Sequence, residues 1–368
     1  MNQHLPLEEA IVLLQQLIAC PSFSREEQGT AALLEGFLLS KGIPCHRLHH
    51  NIWATNRYYQ SEKPSLLLNS HHDTVRPNSG YRRDPFQPSI EFEEGLPFLE
   101  KRILYGLGST DAGGALVALL FTFLAFYDQK NLPYNLVFAA TAEEEISGTN
   151  GIECLLPHLG PLAFGLVGEP TNMQMAVAER GLLVIDGLAT GRAGHAAREE
   201  GENALYKALD DLQTLRNYSF PKVSDLLGPV KVTATQIQAG VQHNILPETC
   251  TFTLDVRVNE WYELEEVLTT LQQLTSSQLK ARSLRLRPSS IDATHPLVQA
   301  GIQLGLHRYG SPTCSDQALL PFPSLKLGPG ESARSHTADE FIYIAELAAG
   351  LRGYSQLLQS LFRQHHAS

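Results

Sequence analysis

The first part of the chain alternates short apolar runs with segments of helical periodicity. Residues 7–19 carry apolar side chains at helical spacing and end before a proline. Residues 65–69, 134–140 and 164–168 are nearly all apolar, which is typical of strands buried on both faces. Residues 113–127 predict a buried helix between two of these strands. This alternation predicts an α/β fold with a mainly parallel sheet that helices cover on both faces.

A second helix is predicted to begin near Ser24. Ser24 and Glu27 have the spacing of a capping box, in which each side chain bonds to the backbone amide of the other residue. The helix that follows is expected to end near Gly42.

The pattern changes after about residue 175. Residues 182–190, 230–236 and 251–258 alternate apolar and polar side chains, as antiparallel strands with one exposed face do. Helical patterns at 203–216 and 260–277 fall between them, and the α/β pattern resumes near residue 295, ending in a long helix predicted at 338–362. We predict a catalytic domain in two segments, 1–174 and 284–368, interrupted by an α+β domain at 175–283.

Composition narrows the class of protein. The 368 residues include 18% charged and 43% hydrophobic side chains, which indicates a folded globular protein. The net charge of -11 argues against binding of nucleic acid through a basic surface. Residues 113–127 are too few to span a bilayer comfortably, so we expect no contact with a membrane.

The cysteines and the N-terminus bear on the cellular compartment. Five cysteines are scattered along the chain without a CxxC pair, which fits a reducing compartment better than a disulfide framework. The first residues, MNQHLPLEEA, lack the basic and apolar regions of a signal peptide. These features predict a cytoplasmic protein.

Acidic side chains and histidines follow the predicted strands where each strand ends. The carboxyl ends of the strands in an open α/β sheet line the ligand crevice, so we expect these side chains to meet at one edge. A loop that opens a helix, YGLGSTDAGG, adds one more carboxylate. The side chains brought to this edge are His71, His72, Asp73, Asp111, Glu143, Glu144, Glu145 and Glu169.

Histidine and carboxylate ligands without cysteine suit a catalytic zinc ion, and they also permit manganese or cobalt. A pair of metal ions needs a bridging carboxylate, for which Asp111 is a candidate, and one glutamate must stay free to move protons. The spacing alone does not tell which glutamate this is. By strand alternation His72 is predicted to be structural, and Glu143 to face solvent or a helix.

Seven segments resemble the di-zinc metallopeptidase family of acetylornithine deacetylase, succinyl-diaminopimelate desuccinylase, aminoacylase and carboxypeptidase G. The segments lie between residues 70 and 341 and follow the same order as in that family. Two of them lie in the predicted insert. The segments are SHHDTV, YGLGSTDAGG, TAEEEISG, VGEPT, GRAGHAA with GENAL, HNILPETC with DVR, and GPGESARSHTADEF.

The resemblance implies a ligand for each position of a two-metal centre. His71 and Glu169 would bind one zinc ion, and Glu145 and His336 would bind the other. Asp111, together with a water, would bridge the two ions, and the peptide bond after Asp111 would be cis.

The resemblance also implies the residues that act beside the metals. Asp73 would orient His71, and Glu144 would be the general base that activates the water. The insert would be a lid and a homodimerisation domain, from which His195 stabilises the oxyanion in the active site of the partner subunit.

Three further residues would hold the substrate. Asn244 and Arg257 are similar to lid groups that bind the substrate carboxylate, and Gly330 lies in a segment similar to a loop that closes on the substrate. An ion pair within the sheet is the alternative for Arg257.

The expected substrate is an N-acyl amino acid, with N-acetyl-L-ornithine of arginine biosynthesis first. N-succinylornithine, N-acetylcitrulline, succinyl-diaminopimelate and substrates of dipeptidases or aminoacylases are the alternatives. An inactive, metal-free binding protein is a remote alternative, because every expected ligand is present. Two positions depart from the family pattern: Glu143 stands where many relatives have aspartate, and Gly113-Gly114 where many have Lys-Gly.

Overall fold

The chain forms two compact units, in a computed structural model that describes residues 6–93 and 101–367. The first unit comprises Met1–Val177, Ile291–Tyr309 and Ser315–Ser368. The second comprises Ala178–Ser290 and Gly310–Cys314.

Helices and strands are numbered here in chain order over the described residues. The helices are α1 (Leu7–Ile18), α2 (Gln28–Ser40), α3 (Gly114–Tyr127), α4 (Ile152–Leu155), α5 (Ala204–Asn217), α6 (Leu264–Leu274), α7 (Pro296–Gln303) and α8 (Ile344–Ala367). The strands are β1 (His46–Leu48), β2 (Asn51–Thr55), β3 (Ser65–His71), β4 (Ser89–Phe92), β5 (Arg102–Tyr105), β6 (Asn135–Thr141), β7 (Leu162–Gly168), β8 (Met175–Glu179), β9 (Gly181–Thr190), β10 (Gly194–His195), β11 (Lys231–Ala239), β12 (Ile245–Leu246), β13 (Thr249–Val258), β14 (Gln278–Ala281), β15 (Ser289–Ser290), β16 (Arg308–Ser311), β17 (Ser324–Leu327) and β18 (Phe341–Tyr343).

The main sheet of the first unit has a parallel centre. Its strands follow the order β1-β2-β6-β3-β7-β17-β8. The pairs of β3 with β6, β3 with β7, and β17 with β7 are parallel. Strands β2 and β8 join this centre antiparallel. The predicted mainly parallel sheet is therefore confirmed.

Both faces of this sheet are buried, which explains the continuous apolar runs. Every residue of β3 and β6 is buried. Leu66 and Leu68 belong to the large core formed with α1, α2, α3, α7 and α8, whereas Leu67 between them belongs to a smaller core that includes α4. Because successive side chains of a strand point to opposite faces, the middle of a strand that lies between two cores is apolar on both faces.

Helix α3 is the central core helix of the first unit. Among the described residues, the segment Ser109–Tyr127 is long and apolar enough to cross a membrane by length and composition. However, 83% of its most apolar window is buried inside the structure. Such burial is typical of a helix in a globular core, and it agrees with the buried helix that the sequence predicts.

The second unit is an antiparallel sheet packed against two helices. Its four strands follow the order β11-β13-β9-β14. Alternate residues of β9 and β13 are buried, and they form one core with α5 and α6. A separate two-stranded pair, β10 with β12, joins His195 to Ile245 in register. Strand β11 pairs with β13 along one edge, and most of its residues are exposed.

Two local predictions differ from the structure. Ser24 does not cap α2: its hydroxyl donates to Asp73 Oδ2 at 2.7 Å, and the helix begins at Gln28 without a side-chain cap. The final helix begins at Ile344, not at 338, because Phe341–Tyr343 pairs with β5 as strand β18. In both places a partner distant in sequence overrides the local pattern. None of the five cysteines forms a disulfide, as expected.

Candidate metal centre

Three parallel strands of the first unit deliver the candidate ligands to one edge. Strand β3 ends at His71, which is paired in register with Thr141 at the end of β6. The acidic turn Glu143–Glu145 follows β6, and Glu169 directly follows β7. Aligned carboxyl ends therefore bring an imidazole and several carboxylates together, as predicted from chain direction.

Two loops complete the cluster by bringing Asp111 between two histidines. Asp111 Oδ1 lies 3.2 Å from His71 Nε2, and Asp111 Oδ2 lies 3.6 Å from His336 Nε2. The peptide bond between Asp111 and Ala112 is cis, as the resemblance implies. Asp111 is thus the carboxylate with one oxygen facing each imidazole, which is the arrangement expected of a bridging ligand.

The other carboxylates divide between the two histidines. Glu169 Oε1 lies 3.7 Å and Glu144 Oε2 lies 4.0 Å from His71 Nε2. Glu145 Oε2 lies 2.9 Å from His336 Nε2. In each of two groups, the candidate ligand atoms lie within 4.8 Å of one another: His71 with Asp111 and Glu145, and His71 with Glu144 and Glu169. Glu144 and Glu169 therefore both lie within reach of a cation bound beside His71.

Asp73 connects His71 to the acidic turn. His71 Nδ1 lies 3.0 Å from the backbone oxygen of Asp73 and 3.4 Å from its Oδ1. The same carboxylate accepts hydrogen bonds from the backbone N–H groups of Glu144, at 3.1 Å, and Glu145, at 3.2 Å. Asp73 is fully buried. One carboxylate therefore positions both a candidate ligand and the turn that carries the candidate base.

A second buried carboxylate, Glu27, holds the start of the acidic turn. Its Oε1 accepts from the backbone N–H of Glu143 at 3.1 Å, and its Oε2 lies 2.6 Å from His50 Nδ1. The Glu143 side chain is buried and accepts from Asn150 Nδ2 at 2.9 Å, so it does not face solvent. The three acidic neighbours are tolerated because their backbone amides and one side chain have dedicated partners.

His72 is structural, as predicted. It is buried, its Nδ1 lies 2.9 Å from the Thr30 hydroxyl, and its Nε2 lies 2.9 Å from the backbone oxygen of His50. Burial lowers the pKa of His72 to about 4, which keeps the ring neutral at physiological pH.

Crowding shifts the pKa values of the clustered groups. Burial raises the pKa of Glu144 well above its ordinary value, against the opposing effect of His71. Burial also raises the pKa of Glu169 to about 8, and nearby Asp111 adds to this shift. The hydrogen bond to Glu145 raises the pKa of His336 to about 9. The metal-free cluster therefore retains protons near neutral pH.

These residues fit a pair of divalent cations. The donors are imidazole nitrogens and carboxylate oxygens, which suit zinc, manganese or cobalt in a catalytic site. Burial is the main cause that raises the pKa values of Glu144, Glu145 and Glu169, and repulsion from neighbouring carboxylates adds to each shift. A bound cation would relieve this repulsion and replace the retained protons.

Three predicted residues lie in the second unit. The ring nitrogen Nδ1 of His195 accepts from the backbone N–H of Ala197 at 3.1 Å, and the side chain is exposed. The backbone oxygen of Asn244 accepts from Ala196 N at 3.0 Å, which brings the His195 and Asn244 segments together.

The third residue in the second unit, Arg257, is engaged within the sheet. Its guanidinium donates to both carboxylate oxygens of Asp255, at 2.8 and 3.0 Å, and about a third of each side chain is exposed. This is the ion pair that the sequence leaves as the alternative, so a substrate carboxylate would have to replace Asp255.

Gly330 lies in the first unit, next to the Asp111 loop. Its φ is +85°, and an added Cβ would lie 3.0 Å from Thr110 Cγ2. Its backbone oxygen accepts from Asn172 N at 2.7 Å in the loop after β7. A side chain at this position would strain the backbone and press on the loop that carries Asp111.

Three buried carboxylates around the cluster were not predicted to lie at this site. Glu27 holds the acidic turn, and Glu340 accepts from the backbone of the Asp111 loop. Asp316 Oδ2 accepts from Asn69 Nδ2 and Thr141 Oγ1, both at 2.7 Å. The neighbouring sequence does not predict the burial of Glu27 or Asp316. For Glu340, its position directly before the apolar pair Phe341-Ile342 is a signal of burial.

We expect the metal-free protein to lose stability as the pH rises and bound metal to reverse the loss. From about 4.5, the ordinary pKa of glutamate, to about 8, the folded chain holds a proton on Glu169 that the unfolded chain has released. The raised pKa of His336 acts in the same direction. Above about pH 6.5, the ordinary pKa of histidine, the lowered pKa of His72 no longer opposes these two groups, so the free energy of unfolding of the metal-free protein falls as the pH rises to about 8.

Calorimetry of metal-free and metal-loaded protein measures this effect. The difference in Tm between the two forms should be larger at about pH 8.5 than at about pH 5.5. Glu169→Gln is the control, because a neutral amide should flatten the pH dependence of the metal-free form. A difference in Tm that stays constant with pH would contradict the expectation.

Comparison with known proteins gives one consistent set of matches. The sequence profile of peptidase family M20/M25/M40 matches residues 67–360. A peptidase M20 domain-containing protein of Schizosaccharomyces pombe is 25% identical over 363 residues, covering 95% of this chain and 84% of that protein. Succinyl-diaminopimelate desuccinylase 2 of Ruegeria sp. is 25% identical over 280 residues, covering 71% of this chain and 68% of that protein.

The fold is similar to that of solved peptidases. A dinuclear metal binding peptidase of Bacillus subtilis has a TM-score of 0.71 and 15% identity, covering 97% of this chain and 98% of that chain. At this identity the likeness concerns the fold alone, and it agrees with the parallel sheet and its covering helices.

Proposed function

The chain belongs to peptidase family M20/M25/M40, and from this premise we propose that it hydrolyses the amide bond of an N-acyl amino acid. Membership makes the protein a metal-dependent hydrolase of amide bonds. The observation that carries the finer proposal is the convergence of two histidines and four carboxylates at one sheet edge, with Asp111 between His71 and His336. With two divalent cations bound, such a site would suit the hydrolysis of a small acyl substrate by water.

We propose that five residues hold two divalent cations, zinc first and cobalt or manganese as alternatives. The residues are His71, Asp111, Glu145, Glu169 and His336. The Bacillus subtilis neighbour is described as a dinuclear metal binding peptidase, which supports two ions rather than one. Bound ions of this kind polarise a carbonyl oxygen and lower the pKa of a coordinated water.

Glu144 is the proposed general base. Its carboxylate lies in the cluster and is partly buried, and burial raises its pKa above the ordinary value of a glutamate. It would accept a proton from the attacking water and give it to the leaving amine. Asp73, through its bonds to the Glu144 and Glu145 amides, would keep this carboxylate in place.

The second unit supplies the proposed lid groups. His195 would stabilise the oxyanion, and Asn244 and Arg257 would bind the substrate carboxylate. The guanidinium of Arg257 already makes a bidentate contact with a carboxylate, that of Asp255, so its geometry suits an α-carboxylate. Gly330, beside Thr110, would let the loop backbone approach the substrate.

Among substrates, N-acetyl-L-ornithine is our first proposal, which would place the protein in the cytoplasm and in arginine biosynthesis. The Ruegeria relative is named a desuccinylase, which favours N-succinyl amino acids as the second candidate. Release of free amino acid from N-acetyl-L-ornithine, N-succinyl-L-ornithine and N-succinyl-diaminopimelate should be compared with zinc-loaded protein and a chelator control. Fastest release from acetylornithine supports the first proposal, whereas faster release from either succinyl substrate replaces it.

The protein could bind two metal ions per chain and yet hydrolyse none of these substrates. Its substrate would then belong to those of dipeptidases or aminoacylases. A dipeptide panel then tests that class directly. A protein that holds no metal would instead favour an inactive binding protein.

We propose that the protein is a homodimer formed through the second unit. The support is strand β11, which is exposed along most of its length and pairs with β13 along one edge. Ile237 on this strand and Val241 after it are exposed apolar side chains. An exposed strand edge with apolar neighbours is a surface that proteins normally cover.

Mixed dimers test the proposal that His195 acts in the partner's site. His195→Ala and Glu144→Ala should each be inactive alone, and mixing them should restore part of the activity, because one hybrid site then has both residues intact. Sedimentation gives the oligomeric state, and a tagged pair of wild-type chains controls for subunit exchange. A monomer in solution, or exchange without any rescue, would contradict the shared site.

A further inference from the structure

Glu340 is a buried carboxylate that lies against the backbone of the Asp111 loop. It is 2% exposed, and the proposed chemistry gives it no role. Its Oε1 accepts hydrogen bonds from Thr110 N at 2.8 Å and from Asp111 N at 2.9 Å. Its Oε2 accepts from Gly108 N at 2.9 Å. One side chain therefore takes three backbone donors from four successive residues.

The loop needs such an acceptor because its backbone is irregular. Gly108 has a left-handed φ of 77°, and both Asp111 (φ -114°, ψ 98°) and Ala112 (φ -115°, ψ 28°) depart from helical angles. Residues in this conformation do not direct their N–H groups to the carbonyls of a regular helix. The Glu340 carboxylate presents two acceptor oxygens to these N–H groups, so it is well suited to fix the loop.

The backbone of Glu340 and Phe341 also hydrogen-bonds to the Asp111 loop. Thr110 Oγ1 donates to the backbone oxygen of Phe341 at 2.5 Å, and Gly106 N donates to the backbone oxygen of Glu340 at 2.9 Å. Four residues earlier, the same segment carries His336, whose Nε2 lies 3.6 Å from Asp111 Oδ2. A short stretch of chain thus supplies one candidate ligand and also holds the backbone of the bridging one.

We propose that Glu340 is a positioning residue for the two-metal centre, which fixes the Asp111 backbone so that one carboxylate reaches both His71 and His336. The inference rests on the proposed function, because it assumes that Asp111 bridges two ions. Glu340 acts through the backbone and does not itself bind metal. Its loss should therefore weaken binding of the metal pair without removing any ligand.

Glu340→Gln and Glu340→Ala form a graded test. Glutamine keeps one acceptor oxygen for the Asp111 loop but places an amide group opposite the remaining backbone donor, whereas alanine removes both acceptors. Residues that hydrogen-bond to metal ligands and orient them typically contribute about 10–100-fold to metal affinity. We expect a loss in this range for glutamine and a larger loss for alanine.

Asp211→Asn is the matched control. Asp211 is also a buried carboxylate that accepts from consecutive backbone amides, Ser276 N at 2.9 Å and Ser277 N at 2.8 Å, but it lies in the second unit. Glu340→Gln and Asp211→Asn each replace one carboxylate oxygen, which accepts from the backbone, with an amide group. A purely structural role for Glu340 would therefore lower the Tm of both variants and leave the metal affinity of both unchanged.

Metal binding is measured by competition with a chromophoric chelator, and the geometry of the centre by the visible absorption of Co²⁺-loaded protein. We expect weaker binding and a changed Co²⁺ spectrum for the Glu340 variants, with wild-type values for Asp211→Asn. Wild-type affinity and spectrum in Glu340→Gln and Glu340→Ala would overturn the inference. So would an equal loss of affinity in Asp211→Asn.

The wild-type protein separates this inference from the proposed function. Two ions per wild-type chain, with unchanged binding in the Glu340 variants, removes only the role of Glu340. A wild-type chain that binds fewer than two ions removes the bridging role of Asp111, and both proposals fail together.

Discussion

Replacing Glu144 with glutamine should lower kcat by about 10²–10⁴-fold, the usual contribution of a general base. Glutamine has nearly the same shape but cannot accept the proton of the attacking water. The backbone N–H of residue 144 keeps its bond to Asp73, so the turn should stay in place. We therefore expect little change in KM, in Tm or in the number of metal ions bound.

Glu143→Gln is the matched control, because the neighbouring side chain is directed to Asn150 and not into the cluster. It should keep nearly wild-type kcat. Initial rates and metal analysis on both variants distinguish the roles. If Glu144→Gln loses a metal ion together with activity, Glu144 is a ligand, which the 4.0 Å separation from His71 permits. Near-normal kcat would exclude it from catalysis.

Replacing Asp111 with asparagine should abolish binding of the metal pair. Asp111 is the carboxylate placed between the two imidazoles, 3.2 Å from one and 3.6 Å from the other. Asparagine keeps one oxygen but loses the charge and the second acceptor. Residues that only orient a metal ligand contribute about 10–100-fold to metal affinity. Loss of the bridging ligand itself should therefore weaken metal affinity by more than about 100-fold.

Metal analysis after gel filtration, together with activity at saturating zinc, measures this prediction. Asp339→Asn is the control, since that half-buried carboxylate lies three residues after His336 and accepts from the backbone of Arg82 and Arg83. It should retain two ions and most of the activity. Two tightly bound ions in Asp111→Asn would show that another carboxylate bridges the metals.

The sequence predicted those parts of the fold that depend on burial. Apolar runs predicted β3, β6 and β7 within two residues at every boundary, because the middle of a strand between two cores is apolar on both faces. Polar residues directly follow each of these apolar runs, and this pattern predicted the sheet edge at which His71 and Glu169 meet. This reasoning needs only chain direction, not the packing of side chains.

The sequence could not reveal how polar side chains choose distant partners. Ser24 and Glu27 have the spacing of a capping box, yet Ser24 bonds to Asp73 and Glu27 bonds to the Glu143 amide. Likewise the role of Glu340 depends on a loop far away in the chain. Local patterns describe short-range alternatives, and tertiary hydrogen bonds override them wherever a buried donor lacks another partner.

The strand order has a consequence for synthesis of the protein on the ribosome. Strand β17, residues Ser324–Leu327, is fully buried and lies between β7 and β8, which are made much earlier. Until β17 leaves the ribosome, the nascent chain carries a gap in its central sheet, with unpaired strand edges that favour aggregation. His336 follows only afterwards, so the metal cluster cannot be complete before most of the chain has been translated.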